Sequence, residues 1–217
     1  MSERDHSGVL DAGRDAIRRE AAGVLGVADQ LDETFLTVID LLLNCNGKVF
    51  VTGSGTSSAI ARRMAHLLSV CGTPSVFAPA MDALHGSMGA IVDGDILIAI
   101  SRGGESHEIY DLARRVRLRS VPVIALTAAP ASSLAQASDV VVTLTGDDGV
   151  DPGGVIAMGS TLLVAVWGDA LAYVLMRRRD YGWDKVLETH PAGAVGQITH
   201  RPDSLAALAG DDDANGR

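Results

Sequence analysis

The sequence predicts a single parallel α/β domain in which two helices precede the sheet. Three observations carry that expectation. From Lys48 onward, short runs rich in Val and Ile alternate with helical stretches, the pattern of strand–helix–strand crossovers. Most of the runs are apolar without alternation, as expected when helices cover both faces of a sheet. The chain has 217 residues, 47% of them hydrophobic, enough for one substantial core and no obvious second domain.

The first helix is expected over about Val9 to Asp29, with Leu10, Ile17, Ala21, Val24, Ala28 and Leu31 along one face. A second begins after Asp32, an N-cap residue type, buries Phe35, Val38, Ile39 and Leu42, and stops near Gly47. Strands are expected at Lys48 to Gly53, Ser75 to Ala78, Asp95 to Ser101, Pro122 to Thr127 and Asp139 to Leu144. Between them, Ile60, Met64, Leu67, Leu68 and Cys71 mark one crossover helix, and Ile109, Leu112, Ala113 and Val116 another. The loop Gly146 to Gly154 follows the last strand and reads as a candidate wall of a site. A short helix around Trp183 to Glu188 then leads into His190-Pro191-Ala192-Gly193. Residues 1–200 form the expected domain, and 201–217, which include GDDDANGR, an expected disordered tail.

The apolar run Val155 to Met176 has the length of a membrane span, but Asp169 interrupts it. An unpaired charge there costs about 3 kcal/mol on insertion scales, so a core or interface helix is the better reading and no membrane association is expected. The net charge of −9 argues against nucleic acid as a partner, because phosphate backbones are held by clustered Lys and Arg. The triplet Arg177, Arg178 and Arg179 reads as a solvated helix end. Cys45 and Cys71 have no metal-type spacing and look like small core residues of a reducing compartment; the charged start MSERDHSG lacks the hydrophobic region of a signal peptide. A cytoplasmic protein is the expectation.

In a parallel sheet, ligands collect outside the carboxyl ends of the strands. Two turns there stand out: Gly53-Ser54-Gly55-Thr56-Ser57-Ser58 and Ser101-Arg102-Gly103-Gly104-Glu105-Ser106. Each leaves a strand and enters a helix, so glycine backbone, unpaired helix N–H groups and neutral hydroxyls could surround a phosphate. Such turns are also common simply as caps, and it is their pairing that favours a site. The first is neither a Walker loop nor a dinucleotide fingerprint. Glu105 beside the second turn reads either as a carboxylate favoured by the helix dipole or as a base abstracting a proton next to a carbonyl. His85 and His190, each in a turn with a nearby glycine, read either as structural hydrogen-bonding residues or as acid–base groups. Their spacing supports no metal site.

The stretches VTGSGTSS, ALHGSMG, GDILIAISRGGESHEI, VPVIALTAAPASSLAQASDVVV and THPAGAVG, in this order between about Val9 and Thr199, closely resemble the sugar isomerase (SIS) domain of arabinose 5-phosphate isomerases. The resemblance implies a three-layer, flavodoxin-like sandwich with a five-stranded parallel sheet, a homodimer or homotetramer, and a phosphorylated sugar at the strand ends. It implies no cofactor. Carried over by position, Ser54, Gly55, Thr56, Ser57, Ser101, Arg102, Gly103 and Ser106 would surround the substrate, His85 would line the pocket, and Glu105 and His190 would be catalytic. Two departures stand out. The family loop reads Gly-Met-Gly-Lys-Ser-Gly, and its Lys position is Thr56 here. A second family glutamate falls near Gly149, where only Asp147, Asp148 or Asp151 could substitute. These departures point away from arabinose 5-phosphate itself. Many relatives also continue into a paired nucleotide-sensing module, and regulation by that route is not expected. The leading expectation is a phosphosugar isomerase; a non-catalytic phosphosugar-binding regulator is the alternative, and a structural scaffold ranks third.

Overall fold

The computed structural model describes residues 3–147, 149–205 and 208. Five parallel strands, β1 (Val49–Gly53), β2 (Ser75–Phe77), β3 (Ile96–Ile100), β4 (Val123–Thr127) and β5 (Val140–Thr143), lie in the order β2-β1-β3-β4-β5. Each sits within a residue or two of its expected span. The three central strands are buried at every position, and only the edge strands β2 and β5 are partly exposed, which is why the central runs are predominantly apolar, with Thr52 and Thr127 buried among them.

The helices are α1 (Glu3–Gly26), α2 (Glu33–Leu43), α3 (Thr56–Val70), α4 (Ala80–Leu84), α5 (His107–Arg117), α6 (Ser133–Gln136), α7 (Gly159–Arg178), α8 (Trp183–Glu188) and α9 (Gly193–Gly196). The two-residue repeat of a strand decides which layer each side chain joins. Val49, Val51, Ile96, Ile98, Ile100, Ile124 and Leu126 point into one core, shared with α2, α3 and α7. Phe50, Leu97, Ala99, Val123 and Ala125 point into the other, shared with α4, α5 and α6. This is the expected three-layer sandwich.

Asp32 caps α2 as anticipated, its Oδ1 accepting from Thr34 N at 2.9 Å, and Phe35, Val38, Ile39 and Leu42 are buried. Phe35 meets Trp167 of α7 edge-on, ring centroids 5.6 Å apart. The helix α7 is, among the described residues, the one long and apolar enough to cross a membrane; half of it is buried inside the domain, and Asp169 accepts from both terminal guanidinium nitrogens, Nη1 and Nη2, of Arg63 on α3. Cys45 and Cys71 are free, half-buried thiols, and burial pushes both up from their ordinary values.

The first helix corrects the sequence expectation. It begins at Glu3, and the face assigned to the core is open: Leu10 is 57% and Ile17 68% exposed. Only its C-terminal turns reach the domain, where Gly23 approaches Val150 and Leu163 so closely that a Cβ would come 2.9 Å from Val150 Cγ2. The apolar stripe is real, but the described part of this chain brings nothing to cover it. The other end of the chain also stands out from the sandwich: residues 191–205 are exposed. Within it, Trp183 Nε1 donates to Asp203 O at 2.9 Å and Arg201 pairs with Asp184 at 2.8 Å, so the first residues of the expected tail are tied to α8. The remainder of that tail, residues 206, 207 and 209–217, lies outside the described residues.

Candidate functional site

Gly53 of β1 pairs with Ile100 of β3, so Ser54 and Ser101 leave the sheet side by side. The two serine-bearing turns therefore converge, as the sequence reading required. At Gly53 only glycine fits, since a Cβ would lie 2.8 Å from Ser57 O, and Gly55 takes φ +55 to enter α3. Ser54, Gly55 and Thr56 are exposed and Ser57 half-buried.

The second turn is held from inside. Ser101 is buried; its hydroxyl accepts from Gly104 N at 3.2 Å and lies 3.3 Å from Ser106 Oγ. Gly103 is exposed, and Gly104 adopts φ +68 against Ser132. The Arg102 carbonyl accepts from Thr127 Oγ1 at 3.0 Å and Ala128 N at 2.9 Å, which ties the turn to the end of β4.

Both helices that follow these turns start without a side-chain cap: Gly55 has no side chain to offer α3, and Ser106 makes no such bond to α5. By contrast α2 and α6 are capped by Asp32 and Ser132. Uncapped N–H groups from two helices, beside the hydroxyls of Ser54, Thr56, Ser57 and Ser106, make a cradle suited to an anion.

A carboxylate that the sequence reading missed joins the two turns. Glu108, in the first turn of α5, accepts from the Ser54 hydroxyl and from its own backbone N–H, and these hydrogen bonds, Ser54 first, hold its carboxyl below the ordinary glutamate range. Glu105 faces elsewhere. It is exposed, and Ser133 of α6 donates to it from backbone N at 2.9 Å and hydroxyl at 2.7 Å, which also holds its carboxyl low. The two glutamates are three residues apart; what separates them is which neighbouring element each meets.

Neither histidine is hydrogen-bonded to the serine turns. His85 is exposed at the end of α4, beyond β2, where Gly86 turns the chain with φ +127. His190 Nδ1 lies 2.7 Å from Val186 O at the end of α8, which orients the ring by its own helix, and no bond joins it to the serine turns. Asp147 is exposed, and Asp148 lies outside the described residues. Asp151 is 1% exposed, with Oδ1 accepting from Met158 N and Ser160 N at 2.9 Å, so it anchors the start of α7. Burial alone would raise its carboxyl, but the Ser160 and Met158 N–H groups and the Arg102 charge bring it below the ordinary aspartate range.

Arg102 reaches across to this loop, with Nε 3.3 Å from Asp151 Oδ2 and Nη1 donating to Gly154 O at 3.1 Å. It lines two small cavities at the strand ends. One, about 20 Å³, runs from Ser57 to Ser160 and Thr161; the other, about 120 Å³, lies past Arg102 between Thr127, Thr145, Val150 and Leu163. A larger groove of about 480 Å³ between α5 and α6 is lined by Arg114 and Arg117, which are committed to Asp111 and Asp139, and no residue of the serine turns lines it. No group of three His, Cys, Asp or Glu side chains able to hold a metal occurs among the described residues.

A family model described as SIS domain matches residues 42–172. Arabinose 5-phosphate isomerase KdsD of Salmonella typhi is 35% identical over 186 residues, which are 86% of this chain and 57% of that protein. Arabinose 5-phosphate isomerase GutQ of the same organism is 31% identical over 188 residues, 87% of this chain and 59% of that protein. The chain thus spans less than two thirds of these relatives. Among solved structures, protein c3406 of E. coli CFT073 in complex with arabinose 5-phosphate is 30% identical, covers 88% of this chain and 100% of its own, and superposes with a TM-score of 0.82.

Proposed function

The chain belongs to the SIS domain family, and from that premise we propose that it is an aldose–ketose isomerase acting on a phosphorylated sugar. The observation that carries the reading is the meeting of the Ser54 and Ser101 turns at neighbouring strand ends, with two uncapped helix N-termini and the Glu108 carboxylate between them. The phosphate is anchored by the hydroxyls of Thr56, Ser57 and Ser106, with backbone N–H groups of the turn glycines Gly55 and Gly103; Ser54 gives its proton to Glu108 and buried Ser101 holds the second turn in shape. Anchoring one end of the substrate supplies the orientation that proton transfer between adjacent carbons needs.

Glu108 takes the role of the base that the sequence reading gave to Glu105. Its carboxyl is ionised at neutral pH and lies where the turns converge, whereas Glu105 is spent on the start of α6. The carboxylate removes the proton from C2 of the aldose as electrons move to O1 to give an enediolate, then returns it to C1 while the O2 proton passes to O1 through water and the ketose forms. Neutral donors favour the dianionic phosphate without a fixed cation at position 56.

Self-association is part of the proposal. The open apolar face of α1 and the exposed segment carrying His190 are both surfaces a second copy would cover, and His190 would act at the ring end of the sugar only in such an assembly. The second reading, a phosphosugar-binding regulator without turnover, draws on Thr56 at the family's Lys position and on Asp151 being locked into α7.

The test is proton exchange in deuterated water with a panel of pentose and hexose phosphates. Glu108→Gln is expected to abolish exchange at C1 and C2, and Glu105→Gln to leave most of it. Saturable binding with no exchange in the wild type selects the regulator; exchange lost in Glu105→Gln but kept in Glu108→Gln reverses the assignment of the base.

A further inference from the structure

We propose that Asp151 determines specificity: its buried carboxylate neutralises Arg102, so the site admits a phosphorylated sugar with an uncharged far end and rejects the corresponding phosphorylated sugar acid. The inference rests on the phosphosugar reading above.

Among the described residues, Arg102 is the one charged side chain lining the two strand-end cavities. A guanidinium in that position would by itself recruit a second anion, since its planar donors match a carboxylate. Its surroundings prevent this. Nε already faces Asp151 Oδ2 and Nη1 is given to Gly154 O. The Asp151 carboxylate cannot swing aside to make way for a ligand, because the backbone N–H groups of Met158 and Ser160, at the start of α7, grip its other oxygen at 2.9 Å. Oδ2 has no hydrogen bond of good geometry, and neither has the buried Ser160 hydroxyl beside it. In a site only partly open to water, a ligand carboxylate approaching Arg102 therefore meets a fixed negative charge just behind it. A hydroxyl or carbonyl oxygen needs only the remaining guanidinium N–H groups, and meets no repulsion.

The experiment is calorimetric binding to matched pairs: ribose 5-phosphate, arabinose 5-phosphate and glucose 6-phosphate, each against its aldonic acid phosphate, with inorganic phosphate as the anchor alone. In the wild type, at least one sugar phosphate is expected to bind tenfold or more tighter than its acid. Asp151→Asn keeps an oxygen for the two N–H groups at the start of α7 and removes the charge, so the acid should gain at least tenfold relative to its neutral partner. The double variant Asp151→Asn with Arg102→Gln should lose that gain. Equal or tighter binding of the acids by the wild type overturns the inference, as does an unchanged ratio in an Asp151→Asn protein whose circular dichroism is native. If Asp151→Asn does not fold, the wild-type ratio decides. Should neither inorganic phosphate nor any sugar phosphate bind, the phosphosugar reading itself fails, an outcome distinct from phosphate binding without discrimination.

Discussion

Replacing Gly104 by Ala tests how the second turn is built. Gly104 is buried with φ +68, and a Cβ there would overlap Ser132 Oγ and Cβ and come 3.3 Å from Thr127 Oγ1. The left-handed conformation costs a residue with a Cβ about 1 kcal/mol. Ser132 must move, weakening its cap on Ala135 N, worth about 1 kcal/mol. The hydrogen bond from Gly104 N to Ser101 Oγ, at 3.2 Å, is disturbed as well, for about another 1 kcal/mol. A loss of about 3 kcal/mol is a large share of typical domain stability of about 5–15 kcal/mol. With a urea m-value of about 3 kcal/mol/M, the unfolding midpoint drops by about 1 M. Sugar-phosphate affinity should fall with it, because the same turn carries Ser101 and Ser106. The control is Gly103→Ala, where φ is not positive and no atom lies within 4 Å of the added carbon. If Gly104→Ala shifts the midpoint no more than Gly103→Ala does and binds phosphosugar normally, the account of this turn is wrong.

Removing the Ser54 hydroxyl takes away the leading hydrogen bond that keeps the Glu108 carboxyl low, so Ser54→Ala should move the acid limb of the kcat/KM profile to higher pH; an unmoved limb counts against Glu108 as base. Carboxyls held low in the folded state, including Asp151 and Asp111, stabilise the fold above their unfolded values and lose that contribution as pH falls through their folded ones. Urea midpoints should therefore decline on acidification towards pH 3, and less steeply in Asp151→Asn; parallel declines contradict the assignment. The Arg63–Asp169 pair is nearly half exposed, so Asp169→Asn should cost no more than about 1 kcal/mol in urea unfolding, and a loss beyond twice that means a partner shields the pair. Ile17→Asp on the open face of α1 should leave circular dichroism native while light scattering falls to the 22.5 kDa of one chain; an unchanged larger mass, or a single-chain mass already in the wild type, rejects α1 as an interface.

Pattern and packing divided the outcome between them. Strand positions were readable because a parallel strand buried on both faces is a near-continuous apolar run rich in Val, Ile and Leu, and the runs around Val51, Ile98 and Ala125 show that locally. Helices α2 and α5 were readable for the same kind of reason: Asp32 is a cap by residue type, and Ile109, Leu112, Ala113 and Val116 repeat at helical spacing. The apolar stripe of α1 was equally plain in the sequence, yet periodicity reports only that a face is apolar, never whether the same chain covers it.

The convergence of the Ser54 and Ser101 turns could be anticipated from sequence alone, since ligand-binding turns gather at the carboxyl ends of parallel strands whatever the side chains are. Which carboxylate meets them could not. Glu105 and Glu108 leave the same short stretch, and only the docking of α6 draws one to Ser133 while the neighbouring strand end offers Ser54 to the other. The Arg102–Asp151 pair belongs to the same class: its members are far apart in the chain, and no local rule of residue type or spacing joins them until β3, β5 and the start of α7 are assembled. Local propensity and burial write themselves into short windows of sequence, whereas the partner of a polar side chain is set by a distance across the folded molecule.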